Sequence, residues 1–397
     1  MEPGATTASR VITLGVCLLV LLRPFASSAG IRENIAIRGY VQEEPVLLHT
    51  PLNGFDDEEC TFVNILRARE NVRWYASSAV TFALEVELQW LQGSGACETA
   101  GLIAPMAPDA PLLDLHARFD EAEDACLEAA IDRLWVDVTR GDLQVTAGRQ
   151  RVAWGTNLVW NPVDIFNPTP ALAFDAEEDV GTDAIRAQYY IGPNSQFDLA
   201  WSPARDPNQT NAAARLKINR AGYDWIAIGG RRALDTVGGF AWAGSVAGAG
   251  FRGEILYGRP EGGAGGADES YVNASVSGDY AWANTLYLQV AALYNSRGTT
   301  GDAGGPLLLD ACARRDLSPA RGSVFVEVAK DLTPLWRVDV SGIVNPADGS
   351  SGILPSLRWS ATTNLDITLS ILSFDGRHGT EFGDQGWICA IAARYSF

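Results

Sequence analysis

The sequence predicts an all-β chain that closes into a transmembrane antiparallel β-barrel of about eighteen strands. Three observations carry the expectation. Segments with period-two alternation recur along almost the whole chain. The connections between them alternate between short and long. The chain ends on an aromatic strand, Trp387–Phe397, about as long as a strand that crosses a bilayer, roughly 9–11 residues.

The alternating segments lie near 34–42, 63–75, 79–92, 131–139, 142–153, 182–191, 195–203, 212–219, 222–231, 237–246, 249–258, 270–280, 282–294, 321–330, 335–345, 351–360, 364–374 and 386–397. Boundary errors of about 2–4 residues keep a count of sixteen open. Side chains alternate faces along a strand. In 364–374, Leu365, Ile367, Leu369 and Ile371 oppose Asp366, Thr368 and Ser370. In 335–345, Trp336, Val338 and Val340 oppose Arg337, Asp339 and Ser341. In 387–397, Trp387, Cys389, Ile391, Tyr395 and Phe397 oppose Ile388, Ala390, Arg394 and Ser396. A soluble sheet also alternates, but its wet face is rich in Lys, and here lysine occurs only at Lys217 and Lys330. Arg, Asp, Ser, Thr and Gln dominate the polar face, as a water-filled lumen requires. Trp and Tyr near segment ends, among them Trp74, Tyr75, Tyr189, Trp336, Trp359 and Tyr395, fit the two membrane interfaces.

Counting back from Phe397, one side of the barrel receives only tight turns: 361–364, 331–334, 278–281, 247–250, 220–222, 192–195, 140–142 and 76–78. The other side receives the long connections 43–62, 93–130, 154–181, 259–269, 295–320 and 375–386, with shorter ones at 204–211, 232–236 and 346–350.

Composition agrees. The 397 residues are 47% hydrophobic, yet the mean hydropathy is zero, as expected when half of each strand is polar. The one long apolar run, Val11 to Leu22, follows Arg10 and precedes small residues ending at Ala29. It reads as a secretory signal over 1–29, too short for a membrane helix, leaving 30–397 as the barrel. Export permits disulfides. Cys60, Cys97, Cys126, Cys312 and Cys389 remain; Cys97 and Cys126 flank one long loop and form the candidate pair, Cys60 and Cys312 could form another, and Cys389 should face lipid. His49, His116 and His378 have no metal-ligand neighbours at useful spacing, so no metal site, cofactor or catalytic residue is predicted. Stretch 111–131 is expected to be a helix within a long loop, because Leu115, Phe119, Ala122, Cys126 and Ala130 recur at helical spacing.

Net charge is −18, which disfavours nucleic acid. The acids concentrate in the long loops 43–62, 93–130 and 154–181. They read as solvated loops, with attraction of cations to a mouth or divalent-ion binding as functional alternatives.

The most distinctive string runs from Gly148 to Pro168: Gly148-Arg149-Gln150, then Trp154-Gly155, then Asn161-Pro162-x-Asp164-x-x-Asn167-Pro168. Together with the closing strand, it resembles porin-like and alginate-export-like outer-membrane barrels of Gram-negative bacteria. The resemblance implies a barrel transporter in the cell outer membrane, with tight turns and both mature termini in the periplasm and long loops outside. It implies outer-membrane lipid, lipopolysaccharide and the barrel-assembly machinery as partners, a small-molecule solute as cargo, and compatibility with a homo-oligomer. It also implies that the loop near 154–181 folds inward and narrows the pore. From the residues themselves, the two Asn-Pro steps, Gly155 and Asp164 describe a turn-rich loop of fixed shape, which could equally be a structural seal.

Arg149, Gln150, Arg151, Trp154, Asn161, Asp164 and Asn167 are therefore pore or constriction candidates, joined by the lumen-parity residues Arg186, Arg337, Asp339 and Arg358. Strict alternation would turn Arg149 and Arg151 outward; a bulge at Gly148 is expected to bring them into the mouth. The expected function is passive diffusion of small solutes or ions through the barrel. A structural or adhesive barrel displaying acidic loops, or an outer-membrane hydrolase, are the alternatives.

Overall fold

In apolar solvent every backbone polar group needs a protein partner, so strands must close on themselves. The computed structural model of the chain describes residues 34–49, 60–93, 111–122, 124–167, 180–261, 269–304 and 317–397. The expected signal segment 1–29, Cys97, Cys312, Pro168 and much of the acidic loop sequence lie outside the described residues.

The strands are β1 (Ile35–His49), β2 (Thr61–Tyr75), β3 (Val80–Gly93), β4 (His116–Ala122), β5 (Ala125–Arg140), β6 (Leu143–Gln150), β7 (Thr182–Ile191), β8 (Ser195–Ser202), β9 (Asn211–Arg220), β10 (Tyr223–Arg232), β11 (Asp235–Val246), β12 (Ala249–Pro260), β13 (Tyr271–Ala281), β14 (Tyr287–Asn295), β15 (Gly322–Thr333), β16 (Trp336–Val344), β17 (Ser351–Ser360), β18 (Leu365–Asp375) and β19 (Trp387–Ser396). All lie in one antiparallel sheet, and β1 pairs with β19, closing it. The wall is an 18-stranded barrel, because β4 is not one of its staves. The outer part of β5 pairs with β4, and its remainder pairs with β6 (Leu134↔Arg149 to Arg140↔Leu143). Thus β4 fills the edge that β6 leaves open by ending early.

The wall is inverted relative to a soluble protein. Ile185, Leu199, Phe240, Ile255, Val290, Val326, Ile371 and Ile391 are exposed on its outer face, whereas Arg69, Glu85, Gln89, Asp198 and Glu254 are buried inside. Lipid solvates the first set and the lumen the second. Rings gather on the outer face: Trp336 stacks on Trp359 (5.4 Å, 5°), and Tyr223, Trp225, Phe240, Trp242 and Phe251 form a continuous row. Two tight turns, Ala221-Gly222 and Ala247-Gly248, place both residues at positive φ (56° and 80°, 52° and 86°). That twist matches the strands, as in two-residue hairpins of type I′.

The expected eighteen alternating segments correspond to the eighteen wall strands, with shifts at their ends. β1 runs to His49 rather than 42 and carries Pro45 in its middle; the β1–β19 register resumes at Val46↔Ala390 after Glu43↔Ala393, leaving Pro45 unpaired on that side. The helix expected over 111–131 does not form: β4 and the first part of β5 occupy it. The helical spacing is real, but so is a period of two, Cys126, Glu128 and Ala130 being buried. The long edge of β3 needs a partner for every residue to Gln92, and β5 supplies it down to Ala125. A continuous ladder outweighs the few tenths of a kcal/mol per residue by which Ala and Glu prefer a helix.

Closure ends on Phe397, whose N–H donates to the Gly39 carbonyl (2.9 Å) and whose carbonyl accepts from the Gly39 N–H (3.1 Å). The Phe397 ring covers Gly39: a Cβ there would lie 2.8 Å from it and 2.4 Å from the Arg69 carbonyl oxygen. Gly39→Val is therefore expected to cost about 1–3 kcal/mol through overpacking at the seam and to lower refolding yield. Urea titration of the refolded barrel measures it, and an unchanged midpoint would exclude a ring-on-glycine seam.

Candidate functional site: a loop folded across the lumen

β6 stops at Gln150, whose side-chain amide donates to the carbonyls of Thr146 and Ala184 (both 3.1 Å) and so occupies backbone acceptors at the strand end. The chain then leaves the wall. Residues 151–167 form a self-ligated loop whose turns are held by Asn161, Asp164 and Asn167. Asn167 ties its two ends, accepting from the Val152 N–H (2.9 Å) and donating to the Val180 carbonyl (2.7 Å). The Asp164 N–H donates to the Asn161 carbonyl (3.0 Å), closing the turn over Pro162. The Asp164 carboxylate accepts from the Asn167 N–H (3.3 Å). Gly155 lies flat on the Asn161 side chain; a Cβ would stand 2.3 Å from its Oδ1.

This loop lies inside the barrel. Trp154, Val163, Ile165 and Phe166 pack on Ala200, Ala213, Ile226, Ile228, Val237, Ala241 and Leu256, all on the inward parity of β8–β12. At its tip, Val159 and Trp160 join a second cluster with Leu293 and Phe325, the Trp160 and Phe325 rings meeting edge to face at 6.5 Å. The loop thus reaches from β6 to β15.

Its main polar anchor is Glu254 on β12, which has no exposed surface. One carboxylate oxygen accepts from the Thr156 N–H, the Thr156 hydroxyl (3.0 Å) and the Asn157 N–H (2.9 Å); the other accepts from the Val163 N–H (3.1 Å). Asn157 also bonds Ser275 and Ser277 on β13, and the Ser275 hydroxyl donates to the Trp160 carbonyl (2.9 Å). A buried carboxylate is tolerable because four donors converge on it. Parity alone did not single Glu254 out: it is one acid on a strand of ordinary alternation, and its partners are about ninety residues away.

Two charge networks flank the loop's stem. On β8, Asp198 is held by Arg215 (2.6 Å) and Arg186 (3.2 Å), with Gln196 donating to it (2.7 Å). The Arg215 guanidinium lies 5.7 Å from the Trp154 ring centre, so the network also supports the loop. On the other side Arg69 joins Glu85 (2.7 Å), Glu87 (2.8 Å) and Asp132 (2.6 Å), and Arg67 reaches Glu87 (3.2 Å). Asp132 accepts from the Gly181 N–H (2.7 Å), fastening the point where the loop rejoins the wall.

The bulge in this part of the wall lies at Asp132, not in β6. The ladder shifts register between Glu85 and Val86 opposite Arg133 and Ile131, so Asp132 is the bulged residue, while β6 pairs without a shift through Gly148. The expected bulge at Gly148 is therefore not present. Arg149 keeps the outward parity of Leu143 and pairs with its cross-strand neighbour Asp183 (2.9 Å). Segment 111–115 covers the pair, the Leu113 N–H donating to Asp183 and its carbonyl accepting from Arg149. A buried ion pair on the outer face is thus shielded by a loop rather than moved into the mouth.

The other candidates divide. Gln150, Trp154, Asn161, Asp164 and Asn167 build the loop rather than line an opening; Trp154 is fully buried. Arg151, at the loop base, is exposed. Arg186 belongs to the Asp198 network. Arg337, Asp339 and Arg358 lie together one to three residues from the Trp336–Trp359 pair, toward the tight-turn end, away from the loop. At that rim the Arg337 and Asp331 side chains, 3.1 Å apart, are both about two-fifths exposed (41% and 44%). Cys389 faces outward beside Ile391, as expected. Cys126 is buried, and its expected partner Cys97 lies outside the described residues.

Solved structures share this architecture. Acinetobacter baumannii OccAB4 is 9% identical, with coverage of 93% of this chain and 100% of that one and a TM-score of 0.58. Pseudomonas aeruginosa OpdK, solved with vanillate, is 10% identical over 91% of this chain and 98% of its own, with a TM-score of 0.54. A Rhodopseudomonas blastica porin is 12% identical over 91% and 100%, with a TM-score of 0.50. No family model matches the chain, and no curated protein matches it. At such identities the likeness establishes a common barrel fold.

Removing the anchor tests the loop's seat. Glu254→Ala leaves the Thr156, Asn157 and Val163 amides without their acceptor, at about 1–3 kcal/mol for each that stays buried. Single-channel recording is expected to show a larger, noisier conductance; a trace identical to wild type would mean that Glu254 does not hold the loop. A second prediction concerns pH. Burial pushes the Asp164 carboxyl up from 3.8 to about 7, against hydrogen bonds from the Asn167 and Trp154 amides, with Glu254 adding to the rise and Arg151 opposing it. Because the folded value is raised, this group's stabilisation is complete below about pH 4 and is lost as pH climbs through 7. The loop should open more often at pH 8 than at pH 5, and Asp164→Asn should flatten that dependence in the same recordings.

Proposed function

We propose that the chain is an outer-membrane channel through which small solutes or ions diffuse, with residues 151–167 as its constriction. One observation carries the reading: a closed barrel has a loop fastened to its inner wall by a buried carboxylate. A barrel serving only for display would not need a shaped loop inside. The charges on the inner wall are mostly paired within the wall, so solutes meet fixed dipoles as well as net charge.

The same reading assigns residues 1–29 as the secretory signal and places both mature termini and the tight turns in the periplasm. It places the long acidic loops beside lipopolysaccharide at the cell surface and takes the barrel-assembly machinery to recognise the closing strand. Cys97 and Cys126 are taken to staple one surface loop. A hydrolase is disfavoured because the histidines stand apart from one another, His49 beside Trp387, His116 against Glu128 and His378 against Asp384.

Refolded residues 30–397 in planar bilayers test the proposal. Discrete conductance steps are expected, and deletion of 155–175 should enlarge them. Silence from an intact barrel would overturn the channel, and steps unchanged by the deletion would overturn the constriction.

A further inference from the structure

The outer face of β8–β12 carries features that neither the lumen nor internal packing explains. Near the long-loop rim, Arg231 on β10 and Arg259 on β12 both point outward and are exposed. They flank Thr236 of β11, with which each is in register, and so stand two strand spacings apart, about 10 Å. Arg231 donates through Nε to the Ala233 carbonyl (2.8 Å), which fixes its stem; neither guanidinium has a carboxylate within ion-pair distance among the described residues. The nearby acid, Glu261, accepts from the Thr236 hydroxyl (2.5 Å). Two positive charges thus face one negative charge on the rim of a chain whose net charge is −18.

Beside Arg231 the wall is hollow. A cavity of about 460 Å³ opens on the apolar face of β7–β10, lined by Ile185, Leu199, Trp201, Ala212 and Gly229, with Ala212 in register with Arg231 and Gly229 two residues below it. Gly229 pairs across to Gly238, and a Cβ at either would meet nothing within 4 Å. Neither has a positive φ, and the ladders on both sides of β11 show no register shift. A glycine in a strand weakens it and ordinarily marks a bulge, a sharp bend or the close approach of something else. Here no bulge is present, and the neighbouring side chains do not demand the space. Farther down, stacked Trp225 and Phe240 (6.0 Å) close the lower end.

We propose that this face is a specific site for a phosphorylated, multiply acylated lipid of the outer leaflet, with the phosphate between Arg231 and Arg259, one acyl chain over the bare strip of Gly229 and Gly238 and another in the adjoining hollow of β7–β10. The order from rim to mid-membrane — cationic pair, apolar hollow, aromatic floor — follows the order of groups in such a lipid. A guanidinium suits phosphate in particular, being planar, weakly hydrated and able to donate two parallel bonds. Occupancy would seal the thin part of the wall behind which Ile228, Val237 and Leu256 receive the constriction loop. The leaflet rests on the membrane orientation proposed above; the chemistry of the site does not.

Native mass spectrometry of the full barrel in detergent tests this, with hexa-acylated lipid A, phosphatidylglycerol and phosphatidylcholine as probes. Wild type should retain lipid A well above phosphatidylcholine. Arg231→Gln/Arg259→Gln should weaken lipid A by about tenfold or more, since charged hydrogen bonds are lost, while leaving phosphatidylcholine unchanged. Gly229→Leu/Gly238→Leu should weaken lipid A with the rim charges intact. Equal retention of lipid A by all three proteins would overturn the site. So would filled-groove variants that lose an oligomer while binding lipid A normally, since the face would then be a contact between copies. Preference for phosphatidylglycerol over lipid A would overturn the multiply acylated ligand. Protease access to 203–210 on whole cells reports membrane orientation separately.

Discussion

Backbone hydrogen bonding in a medium without water governs everything else in this molecule. Each strand must be paired on both sides, so the first wall strand must find the last. Gly39 and Phe397 meet because of this, and β4 exists for the same reason. Once β6 ends at Gln150, the outer edge of β5 would stand unpaired without it. The same demand converts a stretch rich in Ala and Glu into strand. Propensity differs by tenths of a kcal/mol per residue, whereas an unpaired buried amide costs whole ones.

A barrel this wide leaves a lumen to be shaped, and among the described residues the excursion of 151–167 shapes it, with Phe382 from the loop before β19 joining the cluster at its tip. The stem of that excursion is braced by charge networks on either side, and its body rests on apolar residues that point inward. Inward apolar residues would be anomalous in a uniformly water-filled tube; here they are the seat of the loop. Glu254 makes the arrangement directional. A carboxylate with no solvent must be surrounded by donors, and the turn of 156–163 presents three amides and a hydroxyl to it. The loop can therefore occupy one position well, rather than many poorly. Asp164 shares the same buried volume, where burial first and the Glu254 charge after it raise its pKa.

The outer surface follows separate rules. Arg149 and Asp183 lie on the lipid-facing parity but are paired and roofed by 111–115, so lipid does not meet a bare charge. Among the described residues, Arg231 and Arg259 have no such roof and no carboxylate partner, and Arg231 borders a hollow of the outer wall that Gly229 helps to leave. The difference between these two arginine sites is what separates structural neutralisation from a surface open to a ligand.

The barrel itself was legible residue by residue. Period-two alternation located all the wall strands, and the polarity of turns ordered them, because both signals are local and repeat many times. The closing strand identified the seam from its own aromatic pattern. The motif from Gly148 to Asn167 announced a loop of fixed shape, since Asn-Pro steps, Gly155 and Asp164 act on their near neighbours. What the loop rests on was not legible. Glu254, Ser275 and the alanines beneath Trp154 are far away in sequence, and nothing in their own strands distinguishes them. The same holds for Asp132, the extra residue of β5 against β3, which binds Arg69 and the Gly181 amide. Local chemistry, then, determined the fold and the existence of the loop. Only the closed wall, which brings distant strands to face one another across a lumen, decided where the loop sits and which groups hold it.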